Sequence, residues 1–246
     1  MKMTWLAIAA MAVAVCGTAS ASPVNFSGTA VGSWDTLVYE SGSIYGTYGV
    51  ALNNDAGGGV ADLEWGVPPS GDHHSSLKFD GAGSDPNLVP PNWSSAVQPF
   101  VVGTLNYFDG VEWADSGLKG ASLDLTIDIT APDLGPLGQF TYKMGINNTI
   151  NPQGDTVIML NPLPSPQTFQ YNGCTYEFDL SGFSQNNGQT FINQIYACEE
   201  ASAPQAQLYG TIVQKTFAVP DGGTTILLLG LGMAGIAALS RFVRRG

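Results

Sequence analysis

Residues 122–129 read Ser122-Leu123-Asp124-Leu125-Thr126-Ile127-Asp128-Ile129, apolar at every second position. A period of two puts the four aliphatic side chains on one face of an extended strand, and Ser122, Asp124, Thr126 and Asp128 on the other. The same alternation over 139–144, 155–160, 175–180 and 207–213 predicts further half-buried strands. From Phe26 to Phe217 no stretch carries the period of a helix, and Gly, Pro and Asn break the chain about every ten residues. The 31 glycines and 15 prolines are largely such punctuation. The segments Asn53-Asn54-Asp55-Ala56-Gly57-Gly58-Gly59 and Pro86-Asn87-Leu88-Val89-Pro90-Pro91-Asn92 read as exposed loops. About ten short strands predict an all-β fold, an antiparallel β-sandwich of jelly-roll-like type. Two opposed sheets bury one face each and leave the polar faces wet. At 44% hydrophobic residues the chain is too apolar for disorder, and 246 residues suffice for one such domain without a metal or disulfide to hold it.

Both ends depart from this pattern. Lys2 precedes an apolar run from Trp5 to Val15, followed by Ala19-Ser20-Ala21 before Ser22-Pro23. A positive start, a short apolar stretch and a small-x-small site are the parts a signal peptidase recognises, so cleavage after Ala21, ahead of Ser22, is expected. Cys16 falls inside this leader, and Val15 is too bulky for the small residue expected before a lipidated cysteine. At the other end, Val219-Pro220-Asp221-Gly222-Gly223 leads into an uncharged stretch over about 224–240, and Arg241, Arg244 and Arg245 follow. As a helix that stretch reaches roughly 25 Å, enough to just cross a hydrocarbon core of about 30 Å. The arginines would stay cytoplasmic, which places residues before Val219 on the far side, in agreement with the leader. The predicted organisation is a signal peptide (1–21), a β-sandwich ectodomain (22–218) and a membrane-spanning tail (219–246).

Charge narrows the partners. Net charge is -12, and between Ser22 and Ala218 only Lys78, Lys119, Lys143 and Lys215 oppose nineteen acidic residues. Such a surface repels phosphate backbones, which argues against nucleic acid as a partner. Outside the leader the cysteines are Cys174 and Cys198. In an exported chain they are expected to pair, closing a loop of about 25 residues worth roughly 3 kcal/mol; the alternative is two reduced buried thiols.

No catalytic constellation stands out, and the chain is expected not to be an enzyme. Asp72-His73-His74-Ser75-Ser76 holds both histidines, but neighbours along one turn do not converge as a triad requires, so the segment reads as a polar loop before a strand. Asp124 and Asp128 stand roughly 13 Å apart on one strand face. That exceeds the 5 to 9.5 Å, approximately, that separates paired glycosidase acids. No cofactor is expected except calcium, for which Asn53 and Asp55 offer oxygen ligands in a Gly-rich stretch; turn chemistry explains the same cluster. Trp34 and Trp65 sit in strand-like contexts and are expected in the core. Trp93 and Trp113 fall in loop-like contexts and are the candidate sugar-stacking residues.

The order of parts in 219–246, a short Pro-containing motif, a marginal apolar helix rich in small residues and a terminal arginine cluster, resembles the PEP-CTERM class of sorting signals in its VPDGG/VPDSG-like variant. The resemblance implies recognition by an exosortase, a membrane cysteine protease that cuts near the motif after an inner-membrane stage. It also implies transfer to the surface or extracellular matrix of a Gram-negative-type bacterium. Val-Pro-Asp stands here where Pro-Glu-Pro gives that class its name. In the ectodomain, Gly32-Ser33-Trp34, Leu63-Glu64-Trp65-Gly66-Val67-Pro68, Ser75-Ser76-Leu77-Lys78-Phe79, Pro99 to Phe108 and the strand at 122–129 follow one another in an order that resembles the choice-of-anchor K domain over most of 26–214. That resemblance implies a surface-exported domain of unassigned activity and carries no catalytic residues. The expected function is structural or adhesive contact within exopolysaccharide or biofilm. The alternatives are a glycan- or calcium-binding module and a secreted glycan hydrolase.

Overall fold

The computed structural model describes residues 24–39, 51–55, 60–66, 73–83, 92–95, 99–110, 118–147, 154–160, 163–197 and 201–216. Among them every regular element is a strand. In chain order these are β1 (Asn25–Tyr39), β2 (Ala51–Asp55), β3 (Val60–Trp65), β4 (Ser75–Gly81), β5 (Asn92–Ser94), β6 (Phe100–Phe108), β7 (Leu118–Ala131), β8 (Asp133–Asn147), β9 (Thr156–Leu160), β10 (Gln167–Tyr171), β11 (Cys174–Ser184), β12 (Gln194–Tyr196) and β13 (Gln205–Thr216). A six-stranded sheet has the order β12-β9-β8-β7-β1-β5, and a seven-stranded sheet the order β10-β11-β13-β6-β4-β3-β2. All pairings are antiparallel.

The sheets face each other across one core. Phe140 of β8 packs on Phe178 of β11 at 5.6 Å between ring centroids, and Tyr142 of β8 meets Phe183 of β11 edge-on at 5.4 Å. This is the expected two-sheet β-sandwich. Within the sheets β2-β3-β4 and β7-β8-β9 are runs of consecutive strands, and the chain crosses between sheets elsewhere. The alternation in 122–129 holds from Leu123 onward, with Leu123, Leu125, Ile127 and Ile129 buried and Asp124, Thr126 and Asp128 outward, while Ser122, expected on the outer face, is buried.

Two segments read as loops contain strand. Asn53, Asn54 and Asp55 belong to β2, paired with Asp62, Ala61 and Val60 of β3. Trp93 is the centre of β5, paired with Phe26. The leader, the tail from Val219 onward, Trp113 and Cys198 lie outside the described residues.

The inward face of β1 carries Phe26, Gly28, Ala30, Gly32 and Trp34, bulky at the ends and minimal in the middle. That gap is filled from elsewhere, by the Trp93 ring over Gly28 and the Phe79 ring over Gly32. Small residues also let the two sheets touch through their main chains. Beyond its short pairing with β5, β1 has no strand on that edge among the described residues. Its Ala30 N–H instead donates to the Ala82 carbonyl just past β4, at 3.0 Å. The Asn54 side chain accepts from Trp34 N–H at 2.9 Å and donates to the Trp34 carbonyl at 3.1 Å. A side-chain amide thus satisfies the edge in place of a neighbouring strand.

The sandwich has two distinct poles. Phe26, near the start of β1, meets Tyr176 edge-on at 5.3 Å, and Tyr176 pairs with Gln214 close to the end of β13. Entry to β1 and exit from β13 therefore share one pole. At the other, β6 ends at Phe108 and β13 begins, with Gln205 opposite Asn106.

Candidate functional site

The seven-stranded sheet turns a polar face outward. On β3 the outward residues include Asp62 and Glu64, on β4 Ser76 and Lys78, and on β6 Asn106 and Phe108, because Leu63, Trp65, Leu77, Phe79, Leu105 and Tyr107 point into the core. Register lines these up across strands: Glu64 opposite Ser76 opposite Phe108 in one row, and Asp62 opposite Lys78 opposite Asn106 opposite Gln205 in the next. At the end of the first row lies an open cleft of about 360 Å³ lined by Glu64, His73, His74, Ser76 and Phe108.

Main-chain contacts hold the cleft in shape. His74 Nδ1 lies 2.8 Å from the Gly66 carbonyl, a contact in which the ring N–H donates. His73 meets the Phe108 ring edge-on at 6.2 Å. Behind them Gly110 N–H donates to Ser75 Oγ at 3.0 Å, and there is no room for a side chain at Gly110 because the His73 carbonyl occupies that space. Buried Asp109 ties three segments together. Its carboxylate accepts from Asp155 N–H at 3.2 Å, its N–H donates to the Ser202 carbonyl at 3.1 Å, and its carbonyl accepts from Ala201 N–H at 2.8 Å. Trp65 stacks on Tyr107 at 6.1 Å directly inside the sheet beneath this corner.

Asp62, in the second row, lies close to Glu64 of the first and opposite Lys78. Burial holds the Asp62 carboxyl above its ordinary value of 3.8, and Glu64 pushes the same way while Lys78 opposes both. On β11, Asp179 is raised by burial and by Glu177, against the Leu180 N–H and Lys215. A carboxyl raised in the folded state binds its proton more tightly there than in the unfolded chain. Its contribution is therefore fully present below the unfolded value and is lost as pH rises through the raised folded value. Asp62→Asn is expected to match or exceed the parent in stability at about pH 7, and to lose less than the parent on going from about pH 4 to about pH 7, read by denaturant unfolding at both. A variant with the parent's full pH dependence would show that Asp62 carries none of it.

Of the residues weighed from sequence, His73, His74 and Ser76 line this cleft, and the others lie elsewhere. Trp93 is a core residue and is not available to a glycan: it is fully buried, stacks on Phe100 at 5.4 Å, and donates Nε1–H to the Val101 carbonyl at 3.2 Å. Trp34 and Trp65 are buried as expected. Asn53 is exposed on β2, and Asp55 closes that strand. No group of three or more His, Cys, Asp or Glu residues suited to a metal occurs among the described residues. Asp124 and Asp128 lie on the outer face of the other sheet, where Asp124 accepts from Thr141 Oγ1.

Cys174 opens β11 at the pole where β13 ends, since Thr175 pairs with Thr216. Cys198 lies outside the described residues, so the expected pairing with Cys174 falls outside them too.

Glu64 and Phe108 were not singled out as site residues in the sequence, and Ser76, read as part of a polar loop, belongs to β4. Alternation alone turns Glu64 and Ser76 outward; only the register of β3, β4 and β6 makes them neighbours. No curated protein matches the chain. Residues 218–241 match the family model described as the VPDSG-CTERM motif, which bears out the PEP-CTERM-like sorting signal expected of this end and marks the chain as an exported protein.

Proposed function

We propose that the protein is delivered to the outer surface or extracellular matrix of a Gram-negative-type bacterium, and that its ectodomain acts there by structural or adhesive contact within exopolysaccharide, without catalysis. The observation that carries this is the VPDSG-CTERM match over 218–241, attached to an all-β domain. In this scheme signal peptidase removes 1–21, the stretch at about 224–240 holds an inner-membrane intermediate, and an exosortase-type protease acts near Val219-Pro220-Asp221-Gly222-Gly223. The resemblance of 26–214 to choice-of-anchor K domains supports a surface-exported module. A contact role is supported by the outward placement of Asp124 and Asp128 on β7, two residues that do not converge on one point.

The test is the intact mass of the protein recovered from its host's surface fraction. The expected product begins at Ser22 and lacks the tail beyond the Val219–Gly223 motif. A product retaining all residues through Gly246 would make the tail a plain membrane anchor and end the sorting proposal.

A further inference from the structure

The geometry points to a saccharide-binding site on the outer face of the seven-stranded sheet, centred on the cleft of Glu64, His73, Ser76 and Phe108, with a neutral glycan as ligand. It rests on the proposed placement of the protein in exopolysaccharide and names the chemistry of that contact.

A sugar ring offers an apolar C–H face and a rim of hydroxyls, and binding one needs a ring to lie on and polar atoms at fixed intervals. Phe108 supplies the ring, half-exposed at the end of β6 and buttressed edge-on by His73. The two rows supply the polar atoms: Glu64 and Asp62 as acceptors, Ser76 as donor and acceptor, Lys78 as donor, and Asn106 and Gln205 as amides able to do both. Neighbouring strands lie about 4.8 Å apart, and same-face residues along a strand about 6.7 Å, so the rows form a grid fine enough to meet several hydroxyls of one or two sugar units. The main-chain contacts at Gly66, Gly110 and Asp109 fix this corner before any ligand arrives, which lowers the ordering cost of binding.

Charge selects the class. Asp62 and Glu64 stand two residues apart on the outward face of β3 and already repel each other, with Lys78 as the lysine in these rows. A uronate or phosphorylated sugar would bring a further negative charge against them, whereas an uncharged glycan meets the carboxylates as hydroxyl donors.

The experiment is affinity electrophoresis of the protein recovered from the host surface, in native gels containing either the neutral or the acidic fraction of that host's exopolysaccharide. Retardation by the neutral fraction is expected. Glu64→Gln and Phe108→Ala should each weaken it at least about tenfold, while Thr126→Ala on the outer face of the other sheet should leave it unchanged. Glu64→Gln keeps size and shape, so it decides the matter if Phe108→Ala fails to fold, as judged by circular dichroism. No retardation, retardation by the acidic fraction alone, or full retardation of Glu64→Gln would overturn the site. A tail retained through Gly246 would sink the sorting proposal and leave this one standing; a lost tail without retardation would do the reverse.

Discussion

Gly81→Ala is expected to destabilise the protein by about 3 kcal/mol or more, the upper range of what overpacking costs. Gly81 ends β4 where the two sheets meet through their backbones, and an added Cβ there would land on the carbonyl oxygen of Ala30. That atom is main chain in the middle of β1, so no rotamer change relieves the clash. Moving the β4 end outward would stretch the bond from Ala30 N–H to the Ala82 carbonyl, and moving it sideways would stretch the 2.8 Å bond from Ala82 N–H to the Val102 carbonyl. Either escape leaves a buried backbone group short of a partner. Gly81 is absent from the positive-φ glycines, so the effect measures close approach and not conformational freedom. Guanidinium unfolding of the exported protein reads it directly. A loss below about 1 kcal/mol would mean that the sheets are not in main-chain contact at this corner.

Trp93→Ala should cost about 3 to 5 kcal/mol, the range for removing a large buried aromatic. Its ring fills the space left by Gly28, stacks on Phe100 and lies 5.9 Å from Phe178, so truncation opens a cavity that two rigid sheets collapse into poorly. Trp93→Phe should cost less and leave glycan retardation at the parent level, since the residue lies in the core and not on the outer face. Thermal unfolding and affinity electrophoresis of the same two variants separate the roles. Weakened retardation in Trp93→Phe at unchanged stability would restore a sugar-stacking role to this side chain.

Trp93 also marks a boundary of what sequence carries. Periodicity is local, so strands such as β7, β8, β9, β11 and β13 were legible wherever apolar and polar residues alternate. The tail was legible because its parts follow one another along the chain, and the family match agrees. β5 was hidden because three residues hold too little pattern among prolines and asparagines. β2 was hidden because Asn53 and Asn54 are turn formers by intrinsic preference, and here Asn54 does the work of a neighbouring strand by bonding Trp34 on both sides. In β1 the inward face of Gly28, Ala30 and Gly32 is small because rings from β4 and β5 occupy the space, a reason that lies on other strands. The cleft was illegible for the same cause. Glu64, Ser76 and Phe108 are brought together by pairings among β3, β4 and β6 that no local rule specifies.

Those poles give the molecule a direction. β13 ends at Thr216, two residues before the matched tail, beside the start of β1, while the cleft lies where β13 begins. The eleven steps of β13 put roughly 35 Å between them. Under the proposed sorting, attachment through the tail would hold the pole where β13 ends, which leaves Phe108 and Glu64 at the opposite pole for a polymer strand to reach.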